Sequence, residues 1–209
     1  MITVVDYRAG NAPSVVYALE HLGLACRSAT TAAEVESAER LILPGVGAAR
    51  ATLDSLREAG LVDALTERVI AGGAPFLGIC IGLQILFDHS EEGDTHCLGW
   101  LPGRVRRFPP GERIPQIGWN AVRPVRPHPL WDGLPDEAHC YFVNSYHAVP
   151  DDGAHVVATT EYGSTFCSVA GRGNVAATQF HAEKSGQLGL RILSNFATWD
   201  GTDPGAARC

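Results

Sequence analysis

The stretch "APFLGICIGLQILFDHSEE", residues 74–92, decides the fold class of this chain. An apolar run ends on Gly78-Ile79-Cys80-Ile81-Gly82 and then continues with the spacing of a helix. A buried strand that passes directly into a helix is typical of α/β sheets, whose functional groups collect at the carboxyl ends of the strands. Because small neighbours leave room for a tight strand-turn-helix elbow, Cys80 lies where a nucleophile is expected. The positive end of the helix would favour its thiolate. The alternative interpretation is a buried cysteine in a glycine-rich packing contact.

The same alternation of strand and helix runs through the first half of the chain. Apolar runs "ITVVD", "RLILPG" and "PFLGIC" are separated by a helix from Asn11 to about Leu22 and by helical segments at 49–71. Asn11 is a plausible N-cap and Gly23 a plausible stop. Strands and helices of these lengths predict a doubly wound α/β fold, with a mostly parallel sheet and helices on both faces.

The second half of the chain has a different pattern of apolar and turn-forming residues. From about residue 97, short apolar runs are separated by Pro and Gly, which predicts antiparallel strands that extend the sheet, followed by a last helix at about 184–199. We predict a single domain over residues 1–200 and a flexible tail over 201–209.

Composition narrows the class of protein. The chain has 209 residues, is 45% apolar and 19% charged, and carries a net charge of −7 without a basic block, which argues against nucleic acid or an anionic membrane as the main partner. No apolar run reaches the roughly 18 residues that span a bilayer, and the opening residues lack a cationic leader, so a cytoplasmic protein is predicted. The six cysteines form no C-x-x-C pair and are predicted to be mostly core thiols.

A cysteine nucleophile needs a base, and "ATQFHAEKS", residues 177–185, offers one. In an extended segment His181 and Glu183 point the same way, so the carboxylate can fix the imidazole tautomer. The alternative is a surface histidine beside a helix-starting glutamate. The motif also resembles part of a zinc deaminase signature, but no P-C-x-x-C follows, and we predict no metal and no cofactor.

A third element is "LILPGVGAA", residues 41–49, where a strand ends in a glycine-rich loop. Glycines allow backbone N–H groups to turn toward a developing oxyanion. An ordinary strand-to-helix turn is the alternative. A phosphate-binding loop would need the full G-x-G-x-x-G or a Lys-Ser/Thr ending, which this stretch lacks.

Five motifs in this order carry a resemblance to a known family: "PGVGA", "GICIGLQILFDHSEE", "IGWN", "YFVNSYH" and "QFHAEKS". They resemble the class I (triad) glutamine amidotransferases, which implies a flavodoxin-like fold. "GWN", "YFV-SY" and the lysine of "EKS" are similar to the glutaminase subunits of imidazole glycerol phosphate synthases, which serve histidine biosynthesis.

The resemblance implies roles for individual residues. Cys80 would attack the side-chain amide of L-glutamine, His181 would relay the proton and Glu183 would orient the imidazole. The residues implied to stabilise the oxyanion are Gly45, Val46, Gly47 and Ile81. The residues implied to hold the substrate are Gln84, Glu92, Ser145 and Tyr146. For Glu92 there is also an independent reason, because a carboxylate suits the α-ammonium group of an amino acid.

The resemblance also implies a partner. Ammonia would pass to a (β/α)₈-barrel synthase subunit in a heterodimer, where it would form imidazole glycerol phosphate and AICAR, and the partner would activate the glutaminase allosterically. The positions that match the interface or channel are Asn11, Trp119 and Lys184, although core packing for Trp119 and a solvated position for Lys184 are the plain alternatives. The chain departs from the family motifs at Arg8, Ala49, Gln116, Asn144 and Ala182.

Three other functions stay open on the sequence. A paralogous glutaminase could feed a different synthase, for instance in sugar or secondary-metabolite amidation. A different cysteine hydrolase with G-x-C-x-G would need an HGGG-type loop and an acid ahead of the histidine, whereas the acid here follows it. A non-catalytic subunit with the same fold is disfavoured by the intact Cys80, His181 and Glu183.

Overall fold

The computed structural model describes residues 1–205; residues 206–209 lie outside the described residues. Within that range the strands are β1 Ile2–Val5, β2 Cys26–Ala29, β3 Arg40–Leu43, β4 Phe76–Ile79, β5 His89–Ser90, β6 Thr95–His96, β7 Gly103–Arg107, β8 Gln116–Pro124, β9 Ala138–Asn144, β10 Tyr146–Pro150, β11 Val156–Tyr162, β12 Ser164–Arg172 and β13 Val175–Thr178. The α-helices are α1 Ala12–His21, α2 Ala32–Glu36, α3 Ala49–Glu58, α4 Leu61–Thr66, α5 Ile81–Gln84 and α6 Gly186–Thr198. A π-helical turn, Glu67–Ala71, continues α4, and 3₁₀ turns cover Pro129–Trp131, Gly153–His155 and Ala182–Lys184.

The centre of the sheet consists of parallel strands in the order β2-β1-β3-β4-β13. From β13 the sheet continues through antiparallel β12, β10 and β7, while β11, β8 and β9 branch from β12. The predicted doubly wound α/β sheet with an antiparallel extension is confirmed. Because β13 lies beside β4, two segments about a hundred residues apart end at the same edge of the sheet.

Helices cover both faces of this sheet. On one face the apolar residues of α1 and α6 pack in a core with Leu19, Phe180, Leu193 and Phe196. On the other face α3 and α4 pack over the sheet. The apolar stripes of these helices are the reason for the two layers, since each helix buries one face only. Among the described residues, no helix has the length and apolar character needed to cross a bilayer.

Two local features differ from what the sequence pattern suggests. Asn11 precedes α1 as predicted, but its side chain makes no capping hydrogen bond, because its amide oxygen accepts from the Ser14 hydroxyl while its amide nitrogen donates to Glu183. The helix after Cys80 is only four residues long. It ends early because the backbone carbonyls of Ile85, Leu86 and Phe87 accept hydrogen bonds from residues 98–101 rather than from a further helical turn. A helix this short adds little dipole at the cysteine.

The cysteines differ in burial, and residues near the chain end contact the rest of the protein. Cys140 and Cys167 are buried, whereas Cys26 and Cys97 are half-buried and Cys209 lies outside the described residues. In the predicted tail, the Asp203 carboxylate forms a bidentate ion pair with Arg126. Residues 201–205 therefore contact the body of the protein, and flexibility of the whole segment 201–209 stays a prediction.

Candidate active site

Three neighbouring parallel strands deliver the predicted elements to one edge of the sheet. The glycine-rich loop follows β3, Cys80 follows β4, and His181 comes three residues after the end of β13. The main chain of His181 is held on both sides. Its N–H donates to the Tyr141 carbonyl at 3.0 Å, and its own carbonyl accepts from the Ser185 hydroxyl at 2.7 Å.

The glycines around Cys80 are required by the tightness of the turn. A Cβ on Gly82 would lie 2.2 Å from the carbonyl oxygen of Leu43, and a Cβ on Gly78 would lie 2.5 Å from the carbonyl oxygen of Gly82. Both contacts are with backbone, which cannot move aside as a side chain can. The turn therefore lets α5 begin directly against β3, with the cysteine at its tip.

Cys80 itself has an unusual backbone conformation. Its φ is 57° and its ψ is −108°, a region that residues with a side chain rarely adopt. A strained residue of this kind is about 1–3 kcal/mol less stable than an ordinary one and persists only where the surroundings hold it. The hydrogen bond from the Cys80 N–H to the Thr178 carbonyl at 2.7 Å is one such restraint.

His181 and Glu183 form a buried pair behind the cysteine. The His181 Nδ1 lies 2.9 Å from the Glu183 Oε1, and both side chains are almost fully shielded from solvent. Burial lowers the pKa of His181, but hydrogen bonds with Cys80 and Glu183, together with the negative charge of both partners, raise this pKa from 6.5 to about 9. The imidazole therefore holds a second proton at neutral pH and can act as an acid.

Asn11 extends this pair toward the surface. Its amide nitrogen donates to the Glu183 Oε1 at 3.2 Å, and its amide oxygen accepts from the Ser14 hydroxyl at 2.7 Å. Asn11 thus helps to orient the carboxylate. Among the described residues, the second Glu183 oxygen has no hydrogen-bond partner.

A cavity of about 270 Å³ opens at this edge of the sheet. Its wall contains eight of the predicted site residues in addition to Cys80: Val46, Gly47, Ile81, Gln84, Glu92, Ser145, Tyr146 and His181. Gly45 lies beneath the wall, where a Cβ would meet the Ile81 side chain at 2.1 Å and the Tyr7 hydroxyl at 2.6 Å. The predicted catalytic, oxyanion and substrate residues are therefore together in space, although their roles stay predictions.

Glu92 connects the cavity to the glycine-rich loop. Its Oε2 accepts from the Ala49 N–H at 2.8 Å, at the first residue of α3 and directly after the loop. The turn that carries Glu92 is also held by Arg50, whose guanidinium donates to the carbonyls of Gly93 and Asp94. The carboxylate is thus fixed at the positive end of a ten-residue helix, where a negative charge is favoured.

The predicted interface residues do not line the cavity. Trp119 is 57% exposed and lies on β8 opposite Tyr141 on β9, with ring centroids 6.0 Å apart. Ile117 and Val143 form the next cross-strand pair on the same face and are 58% and 37% exposed. Lys184 is exposed in the 3₁₀ turn after His181.

The five departures from the family motifs occupy different environments. Arg8 has a φ of 66°, in the left-handed region that favours glycine. Gln116 and Asn144 pair across β8 and β9, are buried, and have side-chain atoms without partners among the described residues. Ala49 begins α3, and Ala182 is buried beside His181.

Sequence reasoning missed one residue in contact with the nucleophile. Gln179 is fully buried, and its side-chain nitrogen lies 3.9 Å from the Cys80 sulfur. Gln179 lies two residues before His181, within the stretch that sequence analysis had already singled out, whereas Glu183 lies beyond His181 in a 3₁₀ turn and not on a continued strand. Asn144, Val143 and Pro115 also line the cavity, and nothing in the sequence pattern singled them out for it.

Comparison with known proteins gives consistent results. Residues 3–198 match the family model "Glutamine amidotransferase class-I". A protein from Herpetosiphon aurantiacus named "Imidazole glycerol phosphate synthase subunit HisH" is 50% identical over 197 residues, which cover 94% of this chain and 93% of that protein. A protein of the same name from Chloroflexus aurantiacus is 47% identical over 204 residues, which cover 95% and 96%.

Solved structures support the fold at lower identity. A chain described as "Crystal structure of glutamine amidotransferase" superimposes with a TM-score of 0.74 and 22% identity, and covers 94% of this chain and 99% of that one. A chain from "Structure of PurLQS from Thermotoga maritima" gives a TM-score of 0.73 at 19% identity, with 93% and 96% covered. These two similarities concern the fold alone.

Proposed function

Because this chain belongs to the class-I glutamine amidotransferase family, we propose that it hydrolyses L-glutamine to glutamate and ammonia with Cys80, His181 and Glu183. The observation that carries the proposal is the meeting of a strained cysteine, a buried His–Glu pair and a glycine-rich loop around one cavity. We further propose that the ammonia serves the synthesis of imidazole glycerol phosphate and AICAR in histidine biosynthesis, in the cytoplasm. The names of relatives 47–50% identical over nearly their whole length support this pathway.

The first half of the reaction forms a covalent intermediate. The Cys80 sulfur attacks the side-chain carbonyl carbon of glutamine, and the electrons of the carbonyl bond move to its oxygen. The carbon–nitrogen bond then breaks, and the leaving nitrogen takes a proton from the His181 Nε2 and departs as ammonia. Since Glu183 occupies the Nδ1 side of the ring, the Nε2 side is the one free for proton transfer.

The second half releases glutamate. Neutral His181 accepts a proton from a water molecule, which attacks the thioester carbon. The bond between carbon and sulfur breaks, the sulfur regains its negative charge, and His181 is again protonated. No cofactor is needed, because glutamine and water supply every atom.

Backbone N–H groups of Val46, Gly47 and Ile81 are the proposed donors to the oxyanion formed in both halves. One donor of this kind contributes on the order of 3 kcal/mol to transition-state stability. Gly47 has a φ of 103° and a Cβ there would have no heavy atom within 4 Å, so its peptide has room to turn. We propose that the loop reaches its active orientation when the partner binds, which would keep the isolated chain a poor glutaminase.

The substrate would lie with its α-ammonium group against Glu92, beside Gln84, Ser145 and Tyr146. The Gln84 nitrogen already donates to the Tyr146 carbonyl and to Gln179, both at 3.0 Å. Its amide oxygen is therefore the group left to accept a hydrogen bond from the substrate.

The proposed partner is a (β/α)₈-barrel synthase subunit in a heterodimer, with interface positions at Asn11, Trp119 and Lys184. The exposed apolar face of β8 and β9 supports a protein interface at this position. Trp119 is more than half exposed there, and tryptophan is enriched at protein interfaces relative to the rest of the surface. Ammonia in bulk water is protonated and lost as a nucleophile, so a closed contact between the two sites is required.

The test is glutamate release by the purified chain alone, with a barrel synthase, and with the synthase plus its nucleotide substrate. We expect low activity alone and an increase of about 10²- to 10³-fold in the full complex, the effect of one oxyanion donor. Cys80→Ala should abolish release, while synthesis from added ammonium salts survives. Cys26→Ala, on the edge strand β2, is the matched control with full activity.

Two outcomes would contradict the proposal. Glutamate release by Cys80→Ala at the parent rate would remove the nucleophile. Stimulation only by a synthase outside histidine biosynthesis would keep the chemistry and move the chain to the alternative, a paralogous glutaminase for another amidation.

A further inference from the structure

The sulfur of Cys80 lies between an acceptor and a donor. The acceptor is the Val143 carbonyl oxygen, 4.0 Å from the sulfur. The donor is the side-chain nitrogen of Gln179, 3.9 Å from the sulfur. A thiol can donate its proton to the carbonyl, whereas a thiolate can only accept. Besides its hydrogen bond with His181, the sulfur therefore has one contact that suits the thiol and one that suits the thiolate.

The orientation of the Gln179 amide follows from its neighbours. The Gln84 nitrogen bonds to the Tyr146 carbonyl, which can only accept, so this end of Gln84 must be the NH₂ group. The same nitrogen lies 3.0 Å from the Gln179 Oε1, and a donor there requires oxygen as the Gln179 atom. The remaining end of the Gln179 amide, which faces the sulfur, is therefore its NH₂ group.

We propose that Gln179 is a further catalytic residue, whose side-chain N–H donates to the Cys80 thiolate and stabilises it before attack. A hydrogen bond to the charged form of a group favours that form. Gln179 is fully buried, so no water competes for the N–H. It does not line the cavity, so its action is on the nucleophile and not on glutamine. This role rests on Cys80 being the nucleophile of the proposed glutaminase.

Loss of this hydrogen bond should reduce the reactivity of the Cys80 sulfur about tenfold. This is the lower end for a hydrogen bond to a charged group, because 3.9 Å is a long contact. In Gln179→Leu and in the unbranched Gln179→Met, alkylation of Cys80 by iodoacetamide at neutral pH should slow by about this factor. The ultraviolet absorbance of the thiolate, taken against Cys80→Ala, should fall as well. For glutamine turnover, kcat should fall about tenfold with KM nearly unchanged.

Ser168→Ala is the matched control. Ser168 is also fully buried and pairs with Gln179 through its backbone carbonyl, but its hydroxyl has no partner among the described residues. Its removal should leave alkylation and thiolate absorbance at the parent values. Alkylation is followed on the peptide that contains Cys80, because Cys26 and Cys97 are partly accessible.

A second measurement needs no substitution at Gln179. In the parent protein, the NMR signals of the Gln179 side-chain NH₂ should follow pH with the same midpoint as the thiolate absorbance, and this dependence should vanish in Cys80→Ala. Folded Leu and Met variants with parental alkylation, or NH₂ signals indifferent to the thiolate, would overturn the proposal. Neither measurement uses glutamine, so this inference and the glutaminase assignment can fail separately.

Discussion

The pKa of His181 gives the sharpest test of the candidate site. Three influences act on it: burial lowers the pKa, while Cys80 and Glu183 each raise it, with a net value of about 9. In Cys80→Ala and in Glu183→Gln the pKa should therefore fall, because each variant removes one negative charge and leaves the burial. In the double variant only the burial remains, so the pKa should lie below 6.5.

The magnitude follows from the shift itself. A rise from 6.5 to about 9, at roughly 1.4 kcal/mol per unit, amounts to about 3 kcal/mol in favour of the imidazolium. At neutral pH only about one per cent of the ring should be neutral, against about three quarters for an ordinary histidine. Turnover should accordingly fall more steeply in His181→Ala than in Glu183→Gln, which keeps a correctly placed imidazole.

The assay is a pH titration of the histidine ring signals by NMR, with the His181 signal identified by its loss in His181→Gln. The other histidines report any general change in folding. A parent ring that titrates near 6.5 and does not move in either single variant would refute the buried charged pair. Equal and small losses of turnover in His181→Ala and Glu183→Gln would also argue against the triad.

Three further predictions follow from packing and exposure. Gly82→Ala should lower the free energy of unfolding, measured by urea denaturation, by about 3 kcal/mol, because the new Cβ would clash with a backbone oxygen. The control Gly153→Ala has open space around the new Cβ and should change this free energy by less than about 0.5 kcal/mol; equal effects of the two substitutions would contradict the reasoning. Trp119→Ala should weaken synthase binding, measured by calorimetry, at least about thirtyfold without loss of stability. Val125 is equally exposed but lies beyond the far end of β8, so Val125→Ala should leave binding unchanged; unchanged binding in both variants would remove this face from the interface. Glu92→Gln should raise KM for glutamine at least about tenfold and leave the rate of Cys80 alkylation unchanged, and an unaltered KM would exclude an ammonium contact.

The sequence was sufficient for the parts of the fold that depend on local pattern. Apolar runs located β3 and β4. The predicted contact between His181 and Glu183 is present, but Glu183 lies in a 3₁₀ turn over Ala182–Lys184 and not in the extended segment from which the contact was predicted. The position of β13 between β4 and β12 was not readable, because a strand's neighbours depend on long-range pairing and not on its own residues.

Contacts between residues distant in sequence explain where the structure differs from the local pattern. Asn11 occupies the cap position, yet its amide oxygen accepts from the Ser14 hydroxyl, and its amide nitrogen donates to Glu183, which is distant in sequence. The helix α5 ends after four residues because backbone N–H groups of residues 98–101 donate to the carbonyls that a longer helix would use. Gln179 was overlooked because its contact is with Cys80, ninety-nine residues away.

The place of β13 in the sheet has a consequence for synthesis on the ribosome. β13 is the last strand to be translated, yet it lies in the interior of the sheet, between β4 and β12. A nascent chain that has not reached residue 175 lacks β13 and leaves the β4 edge unpaired, and before residue 181 is added Cys80 has no imidazole beside it. Insertion of this one strand closes the sheet and brings the imidazole to the sulfur, so under the proposed mechanism we expect no glutamine hydrolysis by an unfinished chain.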